Sequence, residues 1–305
     1  MPTMPRESVA GSDRLAMTLP RLAEMKRLGE PIVMLTAYDF PSGRIAEEAG
    51  VDIVLVGDSG AEVVLGYSST VTVSVEEMLM LAAATRRGLH TPLLVADLPF
   101  GSYEASDEQA VLSAQRFVKE AGVDAVKLEG GGPTQVSRVA AIVAAGIPVM
   151  GHVGLTPQSA TALGGRRAQG RTAERALALA HEARALEAAG CFAIVFEAIP
   201  AAVAAVLRRL LSIPVIGIGA GGDTDGQVLV LHDMLGMYPG QAPRHSKQYA
   251  DLHGQTLGAI GEYAEDVRKG RFPGSEHGFS IDPGELKKFE KLLGALRSPL
   301  FEDAE

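Results

Sequence analysis

Gly57-Asp58-Ser59, Ala96-Asp97, Lys127-Leu128-Glu129, Gly151-His152 and Phe196-Glu197 share one placement: in each, polar residues close a short apolar run. Taken singly, each has an ordinary role. An aspartate after a strand serves as a turn or helix-cap residue. Lys127 with Glu129 can be an inward-facing ion pair, and His152 can be a satisfied buried polar group. Taken together, they gather four carboxylates, one lysine and one histidine wherever the ends of those runs meet. Such a cluster repels itself unless a cation neutralises it. A hard cation bound through oxygen is the natural remedy, and two carboxylates plus substrate oxygens suit Mg2+. Spacing alone carries the reading to a metal-assisted enzyme and no further.

Eight apolar runs must position these residues: 32–37, 51–57, 92–98, 124–129, 147–151, 192–197, 213–219 and 228–232. Most are continuously apolar rather than alternating, as parallel strands covered by helices are. Between them lie amphipathic stretches with legible ends. Ser74-Val-Glu-Glu77 and Ser106-Asp-Glu-Gln109 read as capping boxes. Glu48-Ala-Gly-Val-Asp52 recurs as Glu120-Ala-Gly-Val-Asp124, with variants at Ala144-Ala-Gly-Ile147 and Ala188-Ala-Gly-Cys191, a repeated helix stop before a strand. The pattern predicts an α/β fold, a (β/α)8 TIM barrel, with a short N-terminal helix near 18–28 and a C-terminal helical extension with helices near 250–269 and 284–297. Residues 1–17 read as a disordered arm, 18–279 as the catalytic barrel and 280–305 as an appendage. Chemistry on such a barrel sits at the carboxyl ends of the strands, where the polar residues above fall. His232-Asp233 closes the eighth run in the same way. The methionines, Met78 and Met80 among them, read as core filler.

Composition narrows the function. Lys and Arg number 28 against 37 Asp and Glu, a net charge of −9, which argues against nucleic acid or an anionic membrane as partner. No apolar run approaches the ~20 residues of a membrane span, and no apolar core of a secretory signal is visible, so the expected location is cytoplasmic. The single cysteine, Cys191, excludes an internal disulfide framework and a multi-thiolate zinc site. Gly217-Ile-Gly219-Ala-Gly-Gly222 matches the dinucleotide-binding pattern. It leaves no room for the helix that would cap a pyrophosphate before the next apolar run, so it reads instead as a glycine-lined rim.

The runs themselves carry a resemblance. Leu35-Thr-Ala-Tyr-Asp39, Leu55-Val-Gly-Asp-Ser59, Ala96-Asp-Leu-Pro-Phe100, Val126-Lys-Leu-Glu-Gly-Gly131 and Gly151-His-Val-Gly-Leu-Thr-Pro-Gln-Ser159 occur in order. Gln169-Gly-Arg171, Pro214-Val-Ile-Gly-Ile-Gly-Ala-Gly221, Asp225-Gly-Gln227 and Phe272-Pro-Gly-Ser-Glu-His277 follow. Over about 22–279 the chain resembles the ketopantoate hydroxymethyltransferase family. The resemblance implies Asp58 and Asp97 as Mg2+ ligands with Glu129 beside the metal. It implies Ser59 and Lys127 as holding a 2-oxo acid, with Asp58 and Asp97 reaching it through the metal, His152 as lining the pocket, and Glu197 as the base. It further implies 5,10-methylenetetrahydrofolate as co-substrate and a homo-oligomer, a decamer of two pentameric rings.

The reaction it implies is hydroxymethyl transfer to 3-methyl-2-oxobutanoate, giving 2-dehydropantoate through a Mg2+-stabilised enolate. The alternative on the same scaffold is a Mg2+-dependent 2-oxo-acid carbon–carbon lyase of the isocitrate lyase and phosphoenolpyruvate mutase type, which uses no folate. The chain departs from the family pattern at Gly60-Ala-Glu62, where many members have Leu-Gly-Met, at Ser68 in place of aspartate, and at Thr72 in place of proline. Glu62 adds a charge near the metal loop.

Overall fold

A computed structural model of the chain describes residues 14–162, 164–240 and 243–296. It divides into two compact units, 1–251 and 252–305. In the first, eight parallel strands close into a barrel in sequence order: β1 (Ile32–Thr36), β2 (Ile53–Val56), β3 (Leu93–Asp97), β4 (Ala125–Lys127), β5 (Val149–Gly154), β6 (Ala193–Glu197), β7 (Val215–Ile218) and β8 (Gly226–Leu229). β8 returns to pair with β1, so no edge is left exposed. Helix α1 (Leu19–Leu28) precedes β1. The strands are followed outside by α2 (Phe40–Ala49), α3 (Gly60–Val63), α4 (Val75–Arg86), α5 (Asp107–Arg116), α6 (Pro133–Ala144), α7 (Ala173–Ala188), α8 (Ala201–Arg208) and α9 (Leu231–Leu235). The second unit holds α10 (Leu252–Arg268) and α11 (Pro283–Leu296). Of the expected arm, residues 1–13 lie outside the described residues. Arg14 pairs with Asp52 at 2.7 Å, and the Met17 N–H donates to the Thr91 carbonyl at 2.7 Å.

Strand parity explains how one apolar run both fills the barrel and arms it. Ile53, Leu55, Leu93, Val95, Ala125, Met150, Ala193, Val195, Ile216 and Val228 point inward and pack with Leu22 and Met25 of α1 in one buried cluster. Their neighbours Val54, Leu94, Val126, Val149, Ile194 and Phe196 point outward into the cluster that joins sheet to helices. Continuing the inward set by two residues gives Asp97 after Val95, Lys127 after Ala125, His152 after Met150 and Glu197 after Val195. The side chains that follow the apolar layer are therefore delivered to one end of the barrel by the two-residue period of a strand.

The Ala-Gly-Val-Asp repeat does two jobs. Gly50 and Gly122 take the left-handed conformation that ends the preceding helix (φ 73° and 71°). Asp52 then accepts from the Val33 N–H at 2.8 Å, and Asp124 from the Leu94 N–H at 2.8 Å, tying each strand start to its neighbour. Ser74 and Glu77 form the expected reciprocal capping box. Ser106 accepts from the Gln109 N–H, but the Gln109 amide oxygen takes the Ala105 N–H rather than that of Ser106.

Other expectations are corrected. β8 begins at Gly226 and ends at Leu229, and residues 231–235 form α9, so His232 and Asp233 lie on a helix rather than closing a strand. Gly226 hides the strand because it has no side chain, yet only glycine fits: a Cβ there would sit 2.3 Å from the Ile32 carbonyl oxygen of β1. β5 runs on to Gly154, placing His152 within the strand. As the short interval after Gly222 implies, no helix separates β7 from β8, so the barrel has eight strands but lacks its seventh crossover helix. Met78 is buried as expected; Met80, two residues on and across the helix, is exposed.

Candidate active site

The polar end of the barrel opens into a cavity of about 970 Å3, lined by Asp58, Ser59, Asp97, Lys127, Glu129, His152 and Glu197. The structure thus brings all seven sequence-predicted residues together. Lys127 Nζ lies 2.6 Å from Asp97 Oδ1 across the β3–β4 pair, and both side chains are almost fully buried. The Asp58 N–H donates to Asp97 Oδ2 at 3.0 Å. Gly57 permits this tight path, since a Cβ there would lie 2.7 Å from Ser59 Oγ. Ser59 Oγ lies 2.9 Å from the Tyr38 hydroxyl, a buried group on the β1 side. His152 stands between two carboxylates, with Nδ1 3.4 Å from Glu129 Oε1 and Nε2 3.3 Å from Glu197 Oε2.

Burial and mutual repulsion set the protonation tendencies. Asp58 is pushed well above the ordinary carboxyl range by desolvation and by the neighbouring charges of Asp97 and Glu129. Asp97 is raised by desolvation, which outweighs the opposing pull of Lys127. Burial disfavours the Lys127 ammonium, but Asp97, Glu129 and Asp58 reverse the sign and raise it. For His152, burial and Lys127 push down, yet the Glu129 and Glu197 contacts raise it to about 9. Desolvation works against the Glu129 carboxylate too, but His152, Lys127 and the Gln158 N–H hold it below its usual value.

Sequence reasoning gave no role to two of the residues that organise this group. The Gln158 side-chain amide donates to Asp58 Oδ2 at 2.9 Å and to the Leu98 carbonyl at 3.1 Å, while its backbone N–H donates to Glu129 Oε2 at 2.9 Å. The buried Tyr103 hydroxyl donates to the Gln158 amide oxygen. Gln158 lies in the Gly151–Ser159 motif, just after a strand, and that was its signal. Tyr103 carried none. Backbone strain marks the site as well: Ala198, directly after Glu197, has φ 49°, a conformation that costs about 1–3 kcal/mol in a non-glycine residue. Its N–H and carbonyl are both used, by Ile218 and Gln169, which holds the turn in place.

Asp58 and Asp97 fit a Mg2+ ion as two adjacent oxygen donors. Asp97 Oδ1 is buried without a well-aligned hydrogen bond, even with Lys127 close by, and within this group the four carboxylates outnumber Lys127 and His152. Among the described residues no cluster of three or more His, Cys, Asp or Glu side chains has metal-ligand spacing. Glu129, expected beside the metal, is committed to His152 and the Gln158 N–H. A two-carboxylate site completed by water and substrate is the arrangement Mg2+ tolerates. Of the departures from the family pattern, Glu62 lines the cavity and forms an ion pair with Arg166. Ser68 and Thr72 are exposed and outside the lining. No described helix is long and apolar enough to cross a membrane.

Comparison with solved structures agrees on the fold. The chain is similar to 2,3-dimethylmalate lyase, a member of the phosphoenolpyruvate mutase/isocitrate lyase superfamily (TM-score 0.55, 16% identity, covering 93% of this chain and 100% of that one). It is also similar to phosphonopyruvate hydrolase in complex with oxalate and Mg2+ (TM-score 0.57, 14% identity, 94% and 100%). Identity that low carries the architecture alone. Sequence relatives are far nearer. The 3-methyl-2-oxobutanoate hydroxymethyltransferase of Moorella thermoacetica is 53% identical over 268 residues, 88% of this chain and 99% of the relative. Those of Carboxydothermus hydrogenoformans (52% over 272 residues, 89% and 98%) and Dehalococcoides mccartyi strain CBDB1 (50% over 276 residues, 90% and 99%) are similar to the same extent. The family model for ketopantoate hydroxymethyltransferase matches residues 16–275, and the chain belongs to that family of transferases.

Proposed function

We propose that the chain transfers a hydroxymethyl group from 5,10-methylenetetrahydrofolate to C3 of 3-methyl-2-oxobutanoate, giving 2-dehydropantoate, the opening step of pantothenate biosynthesis. Overall, the oxo acid, the methylene carbon and one water yield 2-dehydropantoate and tetrahydrofolate. The observation that carries this reading is the division of one cavity: Asp58 just past the end of β2, Asp97 on β3 and Lys127 on β4 form one group, and Glu197 lies on β6. The reaction needs positive charge on the substrate's oxygens and a base at its C3–H, and those two strand groups supply them from separate directions.

Asp58 and Asp97 would hold Mg2+, which when bound lends Lewis-acid charge to the keto and carboxylate oxygens. Lys127 adds a fixed positive charge beside them, and Ser59 offers a hydroxyl to the acid. Glu197 takes the C3 proton, the C–H electron pair passing into the enolate. His152 holds Glu197 from one side and Glu129 from the other, restricting where the base can swing. The enolate carbon then bonds to the one-carbon unit as one of its two C–N bonds to the folate breaks, and water replaces the remaining nitrogen on that carbon, leaving the hydroxymethyl group on the product and releasing tetrahydrofolate. The apolar inward residues Leu55, Val195 and Val228 floor the cavity and keep bulk water from the enolate.

Proton NMR of 3-methyl-2-oxobutanoate in D2O with enzyme and Mg2+ tests the proposal directly. Loss of the C3 proton signal is expected, followed by hydroxymethyl resonances once methylenetetrahydrofolate is added. Exchange without transfer would point instead to a carbon–carbon lyase, and no exchange with metal bound would overturn the reading.

A further inference from the structure

The cavity has a second wall. Opposite the carboxylate–lysine group, β7, β8 and the segment after them contribute Ile218, Gly219, Val228 and Val230, an apolar surface, and beyond it Asp233. Asp233 is buried, and its placement is built in several steps. The Leu231 N–H donates to Thr36 Oγ1 at 2.9 Å, fixing the start of α9 against β1. Gly236 ends α9 in the left-handed conformation, φ 59°. The chain then folds back so that the Tyr249 N–H reaches the Met234 carbonyl at 2.7 Å. From that returning segment the Tyr238 hydroxyl donates to Asp233 Oδ1. Tyr238 and His245 line the cavity beside it. Burial raises the Asp233 carboxyl above its ordinary value, His245 opposing.

Nothing in the enolisation uses this carboxylate. A polar acid side chain set beside an apolar wall has the form of a site for a flat ring whose face lies on apolar side chains and whose edge carries hydrogen-bond donors. Resting on the folate-dependent transfer proposed above, we infer that Asp233 anchors the co-substrate by accepting two parallel N–H bonds from the 2-amino-pyrimidinone edge of its reduced pterin, the ring lying along Ile218, Gly219, Val228 and Val230. A carboxylate and two adjacent N–H donors match as a bidentate pair, stronger and more directional than neutral hydrogen bonds. Gly219 suits the approach: it has φ 66°, and a Cβ there would stand 3.1 Å from His245 Cβ, crowding the wall. Tyr238 positions the carboxylate and does not touch the ring.

A ligand-and-variant cycle tests this by calorimetry on the full chain with Mg2+, using tetrahydrofolate and its 2-desamino analogue as probes. The wild type is expected to bind the analogue about ten- to a hundredfold more weakly, as loss of a charge-assisted bond requires. Asp233→Asn is expected to bind both probes alike, because the amide cannot accept the pair. Tyr238→Phe, which removes a single hydroxyl, gives a second variant if Asp233→Asn does not fold, and its discrimination is expected to shrink. Equal binding of the two probes by the wild type, or discrimination that persists in the variants, would overturn the inference. Failure of the wild type to bind tetrahydrofolate at all would remove the transfer reading together with it. Wild-type transfer with undiminished discrimination in the variants would remove the Asp233 assignment alone.

Discussion

His152 Nε2 lies 3.3 Å from Glu197 Oε2, across the pair of strands β5 and β6, while the other ring nitrogen faces Glu129, two residues past the end of β4. The imidazole is thus a spacer between two carboxylates with separate duties. Glu129 belongs to the hydrogen-bonded group that includes Gln158 and Asp58. Glu197 faces the cavity from the far side of the ring. The local backbone enforces this separation: Gly154 of β5 abuts Glu197 so closely that a Cβ would fall 2.2 Å from the Glu197 carbonyl oxygen.

Glu197→Gln keeps the shape of the side chain and removes its capacity to take a proton. Exchange of the C3 proton in D2O is expected to fall by about 10²–10⁴-fold, the usual worth of a positioned base. Mg2+ affinity, read by calorimetry, is expected to stay, because Glu197 is no part of the aspartate pair. Exchange at the parent rate would remove Glu197 from the role.

Asp58→Asn and Asp97→Asn each take one anionic oxygen donor from the aspartate pair proposed to hold Mg2+. Both are expected to raise the Mg2+ concentration needed for half-maximal exchange. The effects should differ in kind, since Asp97→Asn also leaves the buried Lys127 ammonium without its 2.6 Å partner and so lowers stability as well. Metal titrations superimposable on the parent's would make the ligand assignment wrong.

Asp225, at the other end of the barrel, ties α1, α8 and β7 together. It receives Lys26 of α1 at 2.7 Å, Arg208 of α8 at 2.6 Å and the Val215 N–H of β7 at 2.9 Å. Its side chain is 1% exposed. Asp225→Ala strands two cationic partners and is expected to cost about 3–5 kcal/mol, seen as a lower urea midpoint. A loss below about 1 kcal/mol would demote the network to surface decoration.

Glu47 gives a pH dependence with a definite sign. Partial burial works against its carboxylate, but hydrogen bonds from the Thr91 and His90 N–H groups and the Thr91 hydroxyl outweigh it, so the value falls below the ordinary 4.5. A carboxyl with a depressed folded value adds stability above about pH 4.5, and that contribution is lost as pH falls through the lower folded value. Glu47→Gln should therefore lower Tm at pH 7, with the gap from the parent closing under acid. A gap that does not close would mean that the charge is irrelevant.

Much of this was legible in the residues. Apolar runs separated by capped amphipathic stretches specify parallel strands under helices, because each strand must be buried on both faces and each helix on one. The acidic and basic residues that close the runs could be named as one rim, since a barrel sends every carboxyl-terminal strand end to the same side. Gln158 and Tyr103 could not be found that way. Their roles are hydrogen bonds to residues far off in the chain, and no local period encodes such a pairing.

The sequence by itself determined the fold class, the family and the set of groups at the rim, because periodicity, helix stops and ordered motifs are local properties of the chain. Only the tertiary structure decided how that set divides. Whether Glu129 turns to His152 or to the aspartates depends on strand stagger in the closed barrel. Gly226 shows the same limit: as a residue it looks like a break, and only the approach of β1, with Ile32 O 2.3 Å from where a Cβ would stand, accounts for glycine at the start of this strand. Asp233 is the last case. Its burial beside the cavity arises from a helix docked on Thr36 and a segment folded back over it, contacts set by three-dimensional closure rather than by neighbours in sequence.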